Sequence, residues 1–210
     1  DCQVRAVATN TVTLDGPVSI ALGGLTAQGS ARVVVNGQAL TVDGDLDLLD
    51  ASRITMNSAA DSVTVINAHF FGGPSTGQLT AGVLRVRGEL LAGLNPEAFE
   101  AGGSHTTRFI PGVGDTVNVG TSNGPVRFAS LDVGRPIRLD GESVVANDAL
   151  VTYGAAIVGA TGRLVLNGNL IGTTSTLIAP RAVRIVGVLA DTGTFRPDTT
   201  IFSGPAQIMP

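Results

Sequence analysis

Short runs of alternating apolar and polar residues recur along the whole chain, and nearly all of them stop at a glycine. Examples are "TVTLDG" (11–16), "ARVVVNG" (31–37), "ALTVDGDLDLL" (39–49), "VLRVRGELL" (83–91), "RLVLNG" (163–168) and "AVRIVGVL" (182–189). Asn-Gly, Asp-Gly or a lone Gly at each stop supplies the positive φ that turns a corner at little steric cost. A period of two places alternate side chains on opposite faces of a strand. In 39–49 this sends Leu40, Val42, Leu46 and Leu48 one way and Thr41, Asp45 and Asp47 the other. Helical periodicity is hard to find, and 28 glycines in 210 residues are nearly twice the usual share. The chain reads as all-β.

Two architectures fit such a pattern: a β-sandwich of hairpins, and a parallel β-solenoid (β-helix). Hairpin sandwiches bury a few large aromatics, whereas this chain has seven Phe, one Tyr (Tyr153) and no Trp. Stacked ladders of Val, Leu, Ile and Ala suit the narrow interior of a solenoid, with coils of about 20 residues. The solenoid is therefore expected, with the β-sandwich as the alternative. Val34, Leu40, Val42, Leu84, Val86, Leu131, Val133, Leu164 and Leu166 are its expected interior.

A single solenoid domain over 1–210 is expected, built from two loosely similar halves, about 10–120 and 121–210. "VTLDGPVSI" (12–20) parallels "IRLDGESVV" (137–145), and "GLTAQGSARVVVNG" (24–37) parallels "AIVGATGRLVLNG" (156–168). Asp15-Gly16 then corresponds to Asp140-Gly141, and Asn36-Gly37 to Asn167-Gly168.

Charge narrows the function classes. The net charge is −4, and all 13 basic residues are arginine. No lysine means no Schiff-base or P-loop lysine, and arginines scattered along the sequence give no basic stripe for nucleic acid. No apolar stretch approaches the roughly 18 residues that span a bilayer. The chain shows no signal peptide, which leaves a cytosolic or an already processed protein. Cys2, the one cysteine, cannot form an internal disulfide; a plain thiol and pairing with another molecule both remain open.

The middle of the chain resembles a repeat of secreted bacterial surface proteins of the adhesin-like kind. The resemblance runs through an L-x-V-x-G-x-L strand (Leu84, Val86, Gly88, Leu90) and a turn-and-strand over Phe99, Ala101, Gly103, His105 and Phe109. Gly112 follows one residue later than the pattern asks. A Thr116-Val117 pair and a strand with Phe128, Leu131 and Val133 close the match, which covers roughly 55–135. It implies a solenoid displayed outside the cell, and it carries no catalytic residues.

Residues with chemical potential read as structural. His105 has Ser104 beside it and Glu100 nearby, but neighbours along a strand point to opposite faces, so a turn or ladder hydrogen bond is expected. His69 reads as a strand-end residue, and two histidines without cysteine partners make a poor metal site. Ser75 in "GGPSTG" (72–77) formally matches G-x-S-x-G, but a nucleophile elbow needs a helix afterwards and "QLTAGVLRVRG" follows instead. Asp43, Asp45, Asp47 and Asp50 suggest a calcium loop, yet Leu48 and Ile54 occupy the places of its glycine and glutamate. No catalytic, cofactor-binding or metal residue is expected, and no cofactor.

Three functions compete. The first is an extracellular structural or adhesive module, associating end to end or continuing into a longer chain, and not an enzyme. The second is a carbohydrate-active β-helix, a lyase or tailspike-like hydrolase, for which aromatic sugar platforms are lacking. The third is an ice- or mineral-binding face, whose threonines ("TVTL", "SHTT", "TTST", "DTT") would have to recur at one offset and do not.

Overall fold

The computed structural model describes residues 4–21, 23–93, 95–112, 116–121, 123–152, 154–173, 176–191, 193–203 and 208–209. Cys2 and Tyr153 lie outside the described residues. Every pairing between strands is parallel, and the chain winds as a β-solenoid of about 9 turns with no helix among the described residues.

Each turn visits three faces in a constant order. The first face begins with Val4–Ala6 and Leu25–Ala27 and continues through Leu90–Ala92, Val117–Thr121 and Ile137–Asp140. The second runs from Thr11–Thr13, Arg32–Val34 and Arg53–Thr55 to Val126–Phe128, Glu142–Val145 and Thr199–Phe202. The third holds Val18–Ile20, Val83–Val86, Thr106–Phe109, Ser130–Val133, Ala149–Val151 and Leu170–Gly172. Four long strands round a corner and so serve two faces: Ala39–Leu49, Ser62–Phe71, Ala156–Leu166 and Leu177–Ile185.

The corner in Ala39–Leu49 shows why glycine is needed there. Register shifts between Val42 and Asp45, and a Cβ on Gly44 would sit 2.0 Å from the Gly23 carbonyl oxygen one coil below. Only a residue without a side chain lets the two backbones approach that closely.

Inward positions stack into columns, and the columns are the core. Leu40, Val63, Leu84, Leu131, Ala149 and Leu170 share one column, each at most 2% exposed. Eight of the nine expected interior residues are buried; Val34 is not. In "RVVV" (32–35) three valines in succession carry no phase of their own. Arg32 settles it: its guanidinium stays outside, so Val33 and Val35 turn inward and Val34 faces out with Arg32.

Coil length varies more than 20 residues suggests. Leu90 pairs with Val119, a step of 29, whereas Arg184 pairs with Ile201, a step of 17. Along the second face the ladder thins in mid-stack to single bridges, Met56 to Leu79, Leu79 to Ala101 and Glu100 to Arg127. Packing takes over at this level. Phe70, Phe99, Phe109 and Phe128 are fully buried and touch in series, so the interior here is aromatic as well as aliphatic.

The two internal matches fare differently in space. Segments 24–37 and 156–168 both run from the first face to the second. Segment 12–20 passes from the second face to the third, but 137–145 passes from the first to the second. Asp15-Gly16 and Asp140-Gly141 therefore turn different corners, because a generic Asp-Gly stop fits any of the three.

Candidate functional site

A cluster of polar side chains lies on the outer side of the first face, across three consecutive coils. Asp45 and Asp47 belong to Ala39–Leu49, Asn67 and His69 to Ser62–Phe71, and Glu89 directly precedes Leu90–Ala92. His69 thus sits inside a ten-residue strand, not at its end, and its ring points outward between its neighbours above and below. Its Nδ1 is 2.7 Å from Asp47 Oδ1, and its Nε2 is 3.2 Å from Glu89 Oε1. Asn67 Nδ2 donates to Asp45 Oδ1 at 2.8 Å, while Asn67 Oδ1 accepts from the Glu89 backbone N–H at 2.8 Å. The Phe71 ring stacks alongside His69, with centroids 5.7 Å apart.

Ionised carboxylates only accept hydrogen bonds, so both ring nitrogens of His69 must carry hydrogen to satisfy this geometry. Burial of the ring pulls its pKa down. The hydrogen bonds it donates to Asp47 and Glu89 and the charges of Asp47 and Asp45 outweigh that, and the net pKa is raised. The imidazolium is a clamp binding three coils. With both nitrogens occupied by the protein's own carboxylates, the ring has no nitrogen to offer a substrate. The ring nitrogens also point to different carboxylates. Among the described residues no group of three or more His, Cys, Asp or Glu side chains is placed to hold a metal ion.

A pH dependence follows. The clamp's stabilisation is fully present below the ordinary histidine value of 6.5 and is lost as pH rises through the raised folded value. We expect about 1 kcal/mol, because the carboxylates are partly exposed. His69→Gln should remove this alkaline-side loss in denaturant melts taken from mildly acidic to mildly alkaline pH. An unchanged slope in the variant would refute the clamp.

The other singled-out residues are placed apart. His105 opens the third face, 0% exposed; its Nδ1 meets the Ala81 carbonyl of the neighbouring coil at 3.0 Å, while Nε2 is buried without a partner. Burial pushes its pKa down, against the Ala81 hydrogen bond and the charge of Asp61. Neutral His105 therefore gives the opposite sign: its contribution is present above pH 6.5 and is lost as pH falls towards the lowered folded value. Ser104 is exposed and Glu100 is half-buried on the second face. Ser75, 3% exposed, lies ahead of the second face. Its Oγ donates to the Glu100 carbonyl at 3.3 Å and accepts from the Glu100 N–H at 2.6 Å, stitching two coils. Of the four aspartates, Asp45 and Asp47 serve the clamp, Asp43 pairs with Arg87 at 3.4 Å, and Asp50 Oδ2 accepts from Gly29 N–H at 3.1 Å.

A second feature was hidden by sequence separation. Arg163, Arg181 and Arg184 converge on a groove along the second face near the last coils. Arg163 pairs with Glu142 at 3.2 Å, and Arg184 Nε donates to Ser203 Oγ at 2.8 Å. Comparison with protein-family models, with curated proteins and with solved structures returns no match.

Proposed function

We propose that this solenoid is an extracellular structural or adhesive module that stacks end to end with copies of itself, and that it is not an enzyme. One observation carries the reading: among the described residues, core columns at each end finish on part-exposed apolar side chains. Val4, Val12 and Val18 occupy inward columns above which Leu25, Val33 and Leu40 are at most 5% exposed, yet they are themselves 42%, 42% and 37% exposed. At the far end Phe202 continues the inward column of Leu166 and Ile185 and is 41% exposed. Among the described residues Val4–Ala6 and Thr199–Phe202 each pair with a strand on one side alone, which leaves backbone groups that a further parallel coil would pair. A coil of a second copy supplies both the apolar cover and the hydrogen bonds, and a head-to-tail contact that does not close yields a filament. In a longer polypeptide, the next coil of the same chain would do the same. The extracellular setting rests on the resemblance over 55–135. The competing carbohydrate-active reading needs paired carboxylates converging on a cleft, and the groove on the second face offers Glu142 already tied to Arg163.

Light scattering across a dilution series tests the stacking. The expected mass rises with concentration, and Val12→Arg or Phe202→Arg returns it to the single-chain value. A strictly monomeric species at high micromolar concentration, with terminal strands protected in hydrogen exchange, would overturn it.

A further inference from the structure

We propose that the arginine-walled groove on the second face binds a linear polysaccharide carrying regularly spaced anionic groups, carboxylate or sulfate. The groove encloses about 930 Å³ and crosses four successive passes of the chain, from Gly141 to Ser203. At about 4.8 Å per coil, those passes span about 14 Å along the solenoid axis. Between the arginines the lining is made of small and medium side chains, among them Ala182, Val165, Thr199 and Ile201. Arg163 stands directly beneath Ala182, and Arg184 lies two residues further along that upper strand. Diagonal positions of this kind are about 8 Å apart. Arg181 adjoins Ala182 at the corner.

The state of each guanidinium matters more than the number of them. The Arg181 guanidinium makes no hydrogen bond or ion pair with the described residues. Arg184 is steadied through Nε by Ser203, which leaves its terminal N–H groups for an outside acceptor. Arg163 alone has a carboxylate partner, and that pair is open to water, with Arg163 61% exposed. Two of the three cations are thus uncompensated in a chain of net charge −4. The planar fork of guanidinium matches carboxylate and sulfate oxygens in a bidentate manner. Nothing aromatic lines the groove, so it lacks the stacking platforms that hold single-stranded nucleic acid or neutral sugar rings. An extended polymer suits a trough that crosses four successive passes, whereas a compact anion would engage one guanidinium at a time. The groove opens sideways from the axis, so binding here and stacking at the ends succeed or fail separately.

Calorimetric titration of the whole chain at low salt is the test, using an alginate hexasaccharide, a heparin hexasaccharide, maltohexaose and a short single-stranded DNA as probes. One or both anionic glycans should bind, the stronger identifying carboxylate or sulfate as the preferred group, and maltohexaose should not. Arg181→Ala and Arg184→Ala should each weaken binding by roughly five-fold, with melting curves unchanged. Arg138→Ala, an exposed arginine on the first face, should leave it as it is. Moderate salt should weaken the interaction further. No binding of either anionic glycan, equal binding of maltohexaose, tighter binding of the DNA, or indifference to both groove variants would overturn the proposal.

Discussion

Val86→Asp should unfold several coils in one step. Val86 is 0% exposed and stacked between Val65 below and Phe109 above in an inward column. A carboxylate there would stand in an apolar column between Val65 and Phe109, and a poorly compensated buried charge costs about 4 kcal/mol. That approaches the whole stability of many domains. Because each coil is held mainly by its neighbours, failure at one level strips the cover from the levels on both sides. Circular dichroism under denaturant should show a collapsed midpoint, and hydrogen exchange should lose protection over 62–65, 83–86 and 106–109 together. Val34→Asp is the control: its outward side chain should cost no more than about 0.5 kcal/mol. If both variants melt alike, the assignment of inward columns is wrong.

Phe99→Ala should cost about 4 kcal/mol, mostly through the cavity it leaves. The Phe99 ring meets Phe70 edge-on, with centroids 4.8 Å apart at 85°, and Phe128 at 5.4 Å and 57°. Phe128 in turn reaches Phe109 at 6.5 Å. This cluster lies where the strand ladder of the second face is reduced to isolated bridges, so side-chain packing carries much of the cohesion there. Phe99→Leu should restore a good part of the stability by refilling the space. Denaturant midpoints for the two variants measure this directly. Near-equal destabilisation by Ala and Leu would mean that ring geometry, not filled volume, holds the middle coils.

The solenoid itself was legible because the signals for it are local. Strand Ala39–Leu49 follows the alternation of its side chains and bends at its one glycine. Where alternation lapses, as in "RVVV", the apolar residues alone could not set the phase, although Arg32 held the answer. The clamp and the groove were harder to see because they depend on coil period. His69 stands 22 residues from Asp47 and 20 from Glu89, and Arg184 stands 21 from Arg163, each one coil apart. A constant period would have aligned them on paper; steps from 17 to 29 residues blur it. The aromatic cluster is hidden for the same reason, since Phe70, Phe99 and Phe128 are each 29 residues apart across the longest excursion.

The parallel ladders give this protein a characteristic response to pulling. Strands lie across the long axis and their hydrogen bonds run along it, so tension between the two ends loads one coil boundary at a time. The outermost coil peels away like tape, breaking its short ladders in sequence, and each release pays out about 70 Å of chain for roughly 20 residues. Resistance would peak where side chains tie more than two levels together. The histidine held between Asp47 and Glu89 is such a rivet, and protonation decides how firmly it grips. A mildly acidic setting would stiffen the rod slightly at that level, and an alkaline one would loosen it by the same small amount.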